Sequence, residues 1–444
     1  MSRPIAALRP RGEGCQFVLY GDACSGVPGA LHERTFAQVN AAIRRLEPPP
    51  EFILFPGDEI IGLTPDEKTL RGQWSYWRDV EMAWLDRQAT PIWHTTGNHT
   101  VYDAMSEKVF RDMAQAPRNG PADQQGLSYF VRRGNVFIAF VNTVWSGLGG
   151  EGHVETEWLA AVLAEHRDAR HKLVVGHHPV FPVNGFAGPY QREIGLEHAS
   201  RFWNVLRDGD VLAYLCSHIL AFDAQVHSGV LQICTAGAGT AHRMPEGVEY
   251  LHFVQAALDA QGLRYQVVDA NGVVRERLEW PPEGDAEAIW RDIPLGDAPA
   301  PFHGVLENGR IVELRLQGVA AVTDAARPQT VFSAASPETA LSIWLGLRGP
   351  NQTLTMIVGR EPGRSPAYWL GPDVAAGEEF DMHLGLNVDM GPGGVMHRRR
   401  DQQKWSSFRS ASARGLEGLV WPRRWSVGND FRGEALKLSV AVRR

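Results

Sequence analysis

The chain has 444 residues and carries 44 Lys and Arg against 51 Asp and Glu, a formal net charge of -7, which leaves no electrostatic case for coating a nucleic acid or binding a membrane surface. Its 44% hydrophobic and 21% charged content excludes a disordered chain, and at about 100–200 residues per domain the length predicts two or three domains. Four cysteines do not make a disulfide framework. The N-terminal stretch holds Arg3, Arg9 and Arg11 without an apolar segment, and no apolar run approaches ~20 residues; the expectation is a cytoplasmic protein with no membrane span.

The first 240 residues alternate strand-like and helix-like stretches. Residues 16–22 form a short apolar run that ends in Gly21-Asp22. Phe36, Val39, Ile43 and Leu46 recur at helical spacing until Pro48, Pro49 and Pro50 stop them. A second apolar run, 52–58, ends in Gly57-Asp58, and 67–88 reads as a helix whose Trp74, Trp77 and Trp84 belong to a core rather than a sugar platform. Residues 91–99 are a third strand running into Gly97-Asn98-His99.

Residues 127–143 read as a hairpin around Arg133-Gly134-Asn135. A helix follows at Trp158, Leu159, Val162 and Leu163, then a strand ending in Gly176-His177-His178-Pro179. A helix around Phe202 precedes a fifth strand ending in Ser217-His218, and further strands fill 230–239 and 250–280. This is the α/β layering of helices outside a sheet. The texture turns Pro-, Asp- and Gly-rich over 281–300, and beyond it short alternating runs predict an all-β sandwich. The expected division is 1–285, a linker over 286–300, and 301–444.

Chemistry is concentrated at the strand ends, which in an α/β sheet gather on one edge. Five of them offer Asp22, Asp58, Asn98, His177 and His218, a set of oxygen and imidazole donors suited to one or two divalent ions of Mn, Fe or Zn. At this point the sequence resembles the calcineurin-like metallophosphoesterase superfamily over residues 16 to about 275. The series Asp22-Ala23-Cys24, Gly57-Asp58, Gly97-Asn98-His99-Thr100, Gly176-His177 and Ser217-His218-Ile219-Leu220 follows that family's D-x-H, G-D, G-N-H-[D/E], G-H and G-H-x-H pattern in order.

The resemblance implies an α/β/β/α sandwich in which Asp58 bridges two metals. Asn98, His177 and His218 complete one site, Asp22 serves the other, and His99 contacts the phosphate and protonates the leaving group. It implies a small phosphorylated substrate. Two positions depart from the pattern: Cys24 and Leu220 stand where the family has histidines. Cys24 is a candidate thiolate ligand for Zn or Fe, and Asp223 and His227 are candidates for the place Leu220 leaves. Thr100 replaces an acidic residue, so Asp103 is the candidate to orient His99. His178 reads as packing or as a residue standing behind the ligands.

The alternative function is a catalytically silent or attenuated member that binds a phosphorylated ligand or protein, or a one-metal site with altered chemistry. Residues 60–90, 100–126 and 183–195 are expected to rim the site. The C-terminal part resembles a concanavalin-like (laminin-G-like) jelly roll through Gly391-Pro392-Gly393-Gly394 and Gly428-Asn429-Asp430, which makes carbohydrate a candidate ligand there. The Arg398-Arg399-Arg400 run reads as a solvated strand or turn.

Overall fold

In the first part of the chain, apolar strands buried on both faces alternate with helices that each bury one side. The computed structural model describes residues 3–144, 154–183, 194–240, 250–281, 289–307, 309–322, 327–336, 341–361, 363–400, 402, 404–410 and 415–443. Met1–Val183, Ala187–Asp223 and Val230–Glu283 form one compact unit; Ala224–Gly229 and Gly284–Arg444 belong to a second.

The strands of the first unit are β1 (Gly14–Leu19), β2 (Phe52–Phe55), β3 (Ile92–His94), β4 (Tyr129–Arg133), β5 (Val136–Phe140), β6 (His171–Val175), β7 (Ala213–Cys216), β8 (Val230–Thr235), β9 (His252–Asp259), β10 (Gly262–Asp269) and β11 (Val274–Trp280). One sheet runs β11-β10-β9-β1-β2-β3, with β1, β2 and β3 parallel. Another contains β8-β7-β6-β5-β4, with β5 to β8 parallel. Phe222–His227 begins in this unit and ends in the second.

Helices α1 (Leu31–Ile43), α2 (Glu67–Tyr76) and α3 (Ala104–Ala114) cover the first sheet. Phe36, Trp74 and Phe110 from these helices pack with Val18, Tyr20, Ile53 and Phe55 of the strands. Helices α4 (Thr156–Glu165) and α5 (Leu196–Asp208) cover the second sheet, where Leu159 and Phe202 meet Phe137, Val174 and Tyr214. The helix-free faces meet each other: Phe52 and Trp93 lie 4.9 Å apart and Trp93 reaches Phe140 of the other sheet at 6.3 Å. The first unit is therefore a four-layer α/β/β/α stack. Burial on both faces is why its parallel strands read as continuous apolar runs.

Two elements differ from the expectation. Residues 67–88 are not one helix: α2 gives way to a π-helical turn at Trp77–Glu81. Trp74 and Trp77 both stay buried, with their rings edge to face at 6.0 Å. Residues 104–114, part of the expected rim and without a predicted element, form α3. Asp103 caps this helix by accepting the Ser106 N–H at 2.7 Å, while the Ser106 hydroxyl accepts the Asp103 N–H. Asp103 therefore serves a helix terminus and not His99. Among the described residues no helix is long and apolar enough to cross a membrane.

The second unit is two antiparallel sheets around one core. One orders Arg291–Ile293, Glu434–Arg443, Ile311–Val319, Glu379–Asn387, Val395–Arg399 and Ser406–Ser407; the other runs from Gly296–Pro299 through Arg424–Val427, Gln329–Ser336, Leu341–Arg348, Thr353–Gly359 and Ala367–Asp373 to Arg409–Ser410. Leu314, Leu384 and Leu438 of the first sheet and Phe332, Leu345, Met356 and Trp425 of the second share that core. The arginine run is occupied within its own unit. Arg398 lies 4.5 Å over the Trp405 ring, and Arg399 and Arg400 pair with Glu378 and Asp381.

Candidate metal centre

The strand ends of the first unit lead into turns with left-handed backbone. Asp22 (φ 61), Cys24 (φ 42), Asp58 (φ 59) and His218 (φ 69) are four of the ten non-glycine residues with positive φ among those described. Each such conformation costs roughly 1–3 kcal/mol and persists only where the surroundings over-determine it. Backbone pairing supplies that constraint. Asp22 N–H donates to the Gly57 carbonyl at 3.2 Å, Cys24 N–H to Asp58 at 2.8 Å and Ser25 N–H to Glu59 at 3.0 Å, extending the β1–β2 register past both strands. Ser217 N–H donates to the His177 carbonyl at 2.8 Å and does the same for the β6 and β7 ends.

These turns bring the predicted donors together. His177 donates its Nδ1–H to the Pro56 carbonyl at 2.8 Å, so in the neutral ring Nε2 carries the lone pair. Around that Nε2 stand Asn98 Oδ1 at 3.1 Å, His218 Nδ1 at 3.1 Å and Asp58 Oδ2 at 3.3 Å. Donors bound to one ion at about 2.0–2.2 Å are themselves about 2.8–3.6 Å apart, so each of the three stands at ligand-to-ligand distance from His177 Nε2; within 4.8 Å the clusters join His218 to His177 and His178, and Asp58 to His177 and Asp22. Asp22 accepts the Ser217 hydroxyl and the His218 N–H, the latter at 2.8 Å, and so fixes the His218 turn. A carboxylate oxygen of Asp22, one of Asp58 and a ring nitrogen of His177 lie within 4.8 Å of one another.

Charge at this centre is strongly coupled. Burial alone lowers the affinity of the His177 ring for a proton, but the adjacent Asp58 carboxylate and then Asp22 outweigh it and hold His177 at about 9. Burial pushes Asp58 upward, yet the charges of His177 and His99 and their hydrogen bonds keep it below the usual carboxylate range. Asp22 is pushed up to about 6 by burial, with the Asp58 charge adding to it and His177 opposing. In the metal-free centre a proton on His177 takes the position between carboxylates that a cation suits.

No family model and no curated protein matches the chain. Among solved structures it is similar to an anchor protein in the inner membrane complex of Plasmodium (17% identity, 60% of this chain and 88% of that one, TM-score 0.41). It is also similar to a dimetal phosphatase from Danio rerio (18%, 60% and 98%, TM-score 0.42) and to a purple acid phosphatase from yellow lupin seeds (13%, 61% and 55%, TM-score 0.46). Likeness at this level carries no functional argument, which stands on the donor geometry instead.

Cys24 Sγ, a carboxylate oxygen of Asp58 and a ring nitrogen of His99 lie within 4.8 Å of one another. His99 is oriented by Nδ1–H donation to the Ile61 carbonyl at 2.7 Å, and its own N–H donates to Asp58 Oδ1 at 2.9 Å. Thr100 closes the preceding turn, its hydroxyl accepting the Gly97 N–H at 2.9 Å. Asp223 and His227 join none of the ligand clusters among the described residues. Asp22, Cys24, Asp58 and His177 are buried while Asn98, His99 and His218 are half-buried, so the centre opens on the side of the last three. Of the expected rim, 184–193 lie outside the described residues.

His178 was expected to pack or to stand behind the ligands. It is buried, and a ring nitrogen of it lies within 4.8 Å of those of His177 and His218. The Thr143 oxygen accepts the N–H groups of both His177 and His178 at 3.2 Å. Its hydroxyl proton is thus left for His178 Nδ1, 3.0 Å away, which places the His178 ring proton on Nε2. His178 is therefore a donor beside the centre rather than another lone pair.

Two glycines are required by close approach. A Cβ on Gly57, at φ 94, would stand 2.7 Å from His177 Nδ1, and a Cβ on Gly97 would overlap the Asp58 carboxylate. Gly97→Ala is expected to lose about 1–3 kcal/mol of stability through overpacking and to weaken cation binding, because the displaced group is the shared carboxylate. A thermal melt paired with a metal titration checks both effects; unchanged metal affinity would show that Asp58 is not held where Gly97 leaves room.

Proposed function

We propose that this chain is a metal-dependent hydrolase of phosphoester bonds, of the calcineurin-like metallophosphoesterase type. The observation that carries this reading is the convergence of Asp58, Asn98 and His218 on the lone pair of His177 at 3.1–3.3 Å. Two oxygens and two imidazole nitrogens suit Mn, Fe or Zn. When bound there, the cation supplies Lewis-acid polarisation of a phosphoryl oxygen and acidifies water toward a pKa of about 7. The Pro56 carbonyl holds the His177 ring in its ligating tautomer, and Asp22 holds the His218 turn. The half-buried side of Asn98, His99 and His218 receives the phosphoester. His99, while its Nε2 carries a proton, donates it to the leaving oxygen. In the same reading the two-sheet second unit is a concanavalin-like jelly roll.

A silent, phosphate-binding member is the second reading, favoured by Leu220 where the family carries a ligand. Metal analysis of the purified full chain, with turnover of bis(p-nitrophenyl) phosphate and p-nitrophenyl phosphate, separates the two. The expected result is a bound transition metal and hydrolysis that a chelator stops and Mn, Fe or Zn restores. Metal without turnover supports the binder, and gain of turnover in a Cys24→His, Leu220→His double variant would strengthen it. A chain that takes up no transition metal overturns both.

A further inference from the structure

We propose that Cys24, Asp58 and His99 form a second cation seat of softer character than the first, suited to a thiophilic ion such as Zn2+. The proposal rests on reading the first seat as a metal centre, because Asp58 is common to both. Its Oδ2 faces His177 while Oδ1 accepts the His99 N–H, so the carboxylate spans the two positions.

Three observations support the seat. The Sγ, carboxylate oxygen and ring nitrogen lie within 4.8 Å of one another, against the ~3–4 Å that ligands of one ion with bonds of about 2.0–2.3 Å require; a modest closing movement is enough. The His99 ring is held by Nδ1–H donation to a main-chain carbonyl, as His177 is. That outer contact is the usual one for a ligating histidine, and it leaves Nε2 as the lone pair. Finally, a thiolate, a carboxylate and an imidazole with one position left for solvent make a set that Zn2+ accepts and Mn2+ or Mg2+ does not favour. On binding, the Cys24 Sγ–H releases its proton to solvent; no electron is transferred. While the seat is filled, His99 Nε2 holds the ion and cannot supply a proton to a leaving group. Second-seat occupancy and leaving-group protonation by His99 are mutually exclusive.

The test is a Co2+ titration of the metal-free full chain followed by absorption. The expected result is a first equivalent without thiolate character and a second that brings a near-ultraviolet thiolate-to-cobalt charge-transfer band. Cys24→Ser should lose the band and the second equivalent and keep the first, and His99→Asn should lose the second equivalent. Cys24→Ala replaces the serine variant should that one fail to fold. A wild-type chain that binds cobalt with no such band, or a band that survives at full strength in a folded Cys24 variant, overturns the soft seat and leaves the first standing. The reading of the first seat fails separately if folded His177→Asn retains both equivalents.

Discussion

Replacing Asp58 with asparagine is expected to lower phosphoester turnover by about 10²–10⁴-fold, the effect of removing several kcal/mol of charge stabilisation, and to weaken cation binding at both seats together. The expectation follows from where the side chain sits. One oxygen of Asp58 lies 3.3 Å from His177 Nε2 and the other accepts the His99 N–H at 2.9 Å, so an amide there removes a charge from two sites at once and presents an N–H to one of them. Loss at His177 should be confined to the first seat and loss at Cys24 to the second. Asp58→Asn alone should remove both in a metal titration. Retained turnover in a folded Asp58→Asn protein would detach this centre from the reaction.

The metal-free chain is expected to lose stability as pH rises from 6.5 to 9. The folded His177 sits at about 9 against an ordinary 6.5. A histidine raised in this way stabilises the fold fully below its unfolded value, and that contribution disappears as pH climbs through the folded value. The difference corresponds to roughly 3 kcal/mol, or a fall in melting temperature of roughly 5–10 °C for a unit of this size. Asp22, raised to about 6 by burial, acts in the same sense at lower pH: its cost grows between 3.8 and 6. Asp58, held low, contributes above its unfolded value and loses that contribution only in stronger acid. A bound cation displaces the His177 proton, so affinity should rise with pH over this window and the loaded protein should melt with a much flatter profile. Melts in chelator and in excess Mn2+ or Zn2+ check this; a metal-free melting temperature that stays level or rises from pH 6.5 to 9 sinks it.

The strands that carry the centre were legible because both their faces are buried: runs such as 52–58 stay apolar until the chain leaves the sheet at a Gly-Asp turn. Asp22, Asp58 and His177 stood out for the same reason, each being the first polar residue after such a run, whereas Asn98 and His218 follow polar residues, Thr95-Thr96 and Ser217, and stood out by their place in the turn. Helix α3 was not read, although Asp103 and Ser106 carried its cap in plain view and Val109 and Phe110 its buried side. His178 lies beyond the end of β6 at Val175, where the alternation of strand neighbours no longer governs which way two adjacent histidines point. The closeness of Cys24 to His99 depends on left-handed backbone at Cys24 and Asp58, which residue spacing does not encode.

Residues Pro56 to Ile61 carry more of the centre than their single ligand suggests. The same short segment provides Asp58 and the two carbonyls, Pro56 and Ile61, that set the His177 and His99 rings. A carbonyl is present whatever the side chain, so this jig is blind to substitution at either position. Side chains elsewhere, at 24 or at 220, can then change while both imidazoles remain aimed. Such a frame permits a lineage to exchange its preferred ion without rebuilding the scaffold around it.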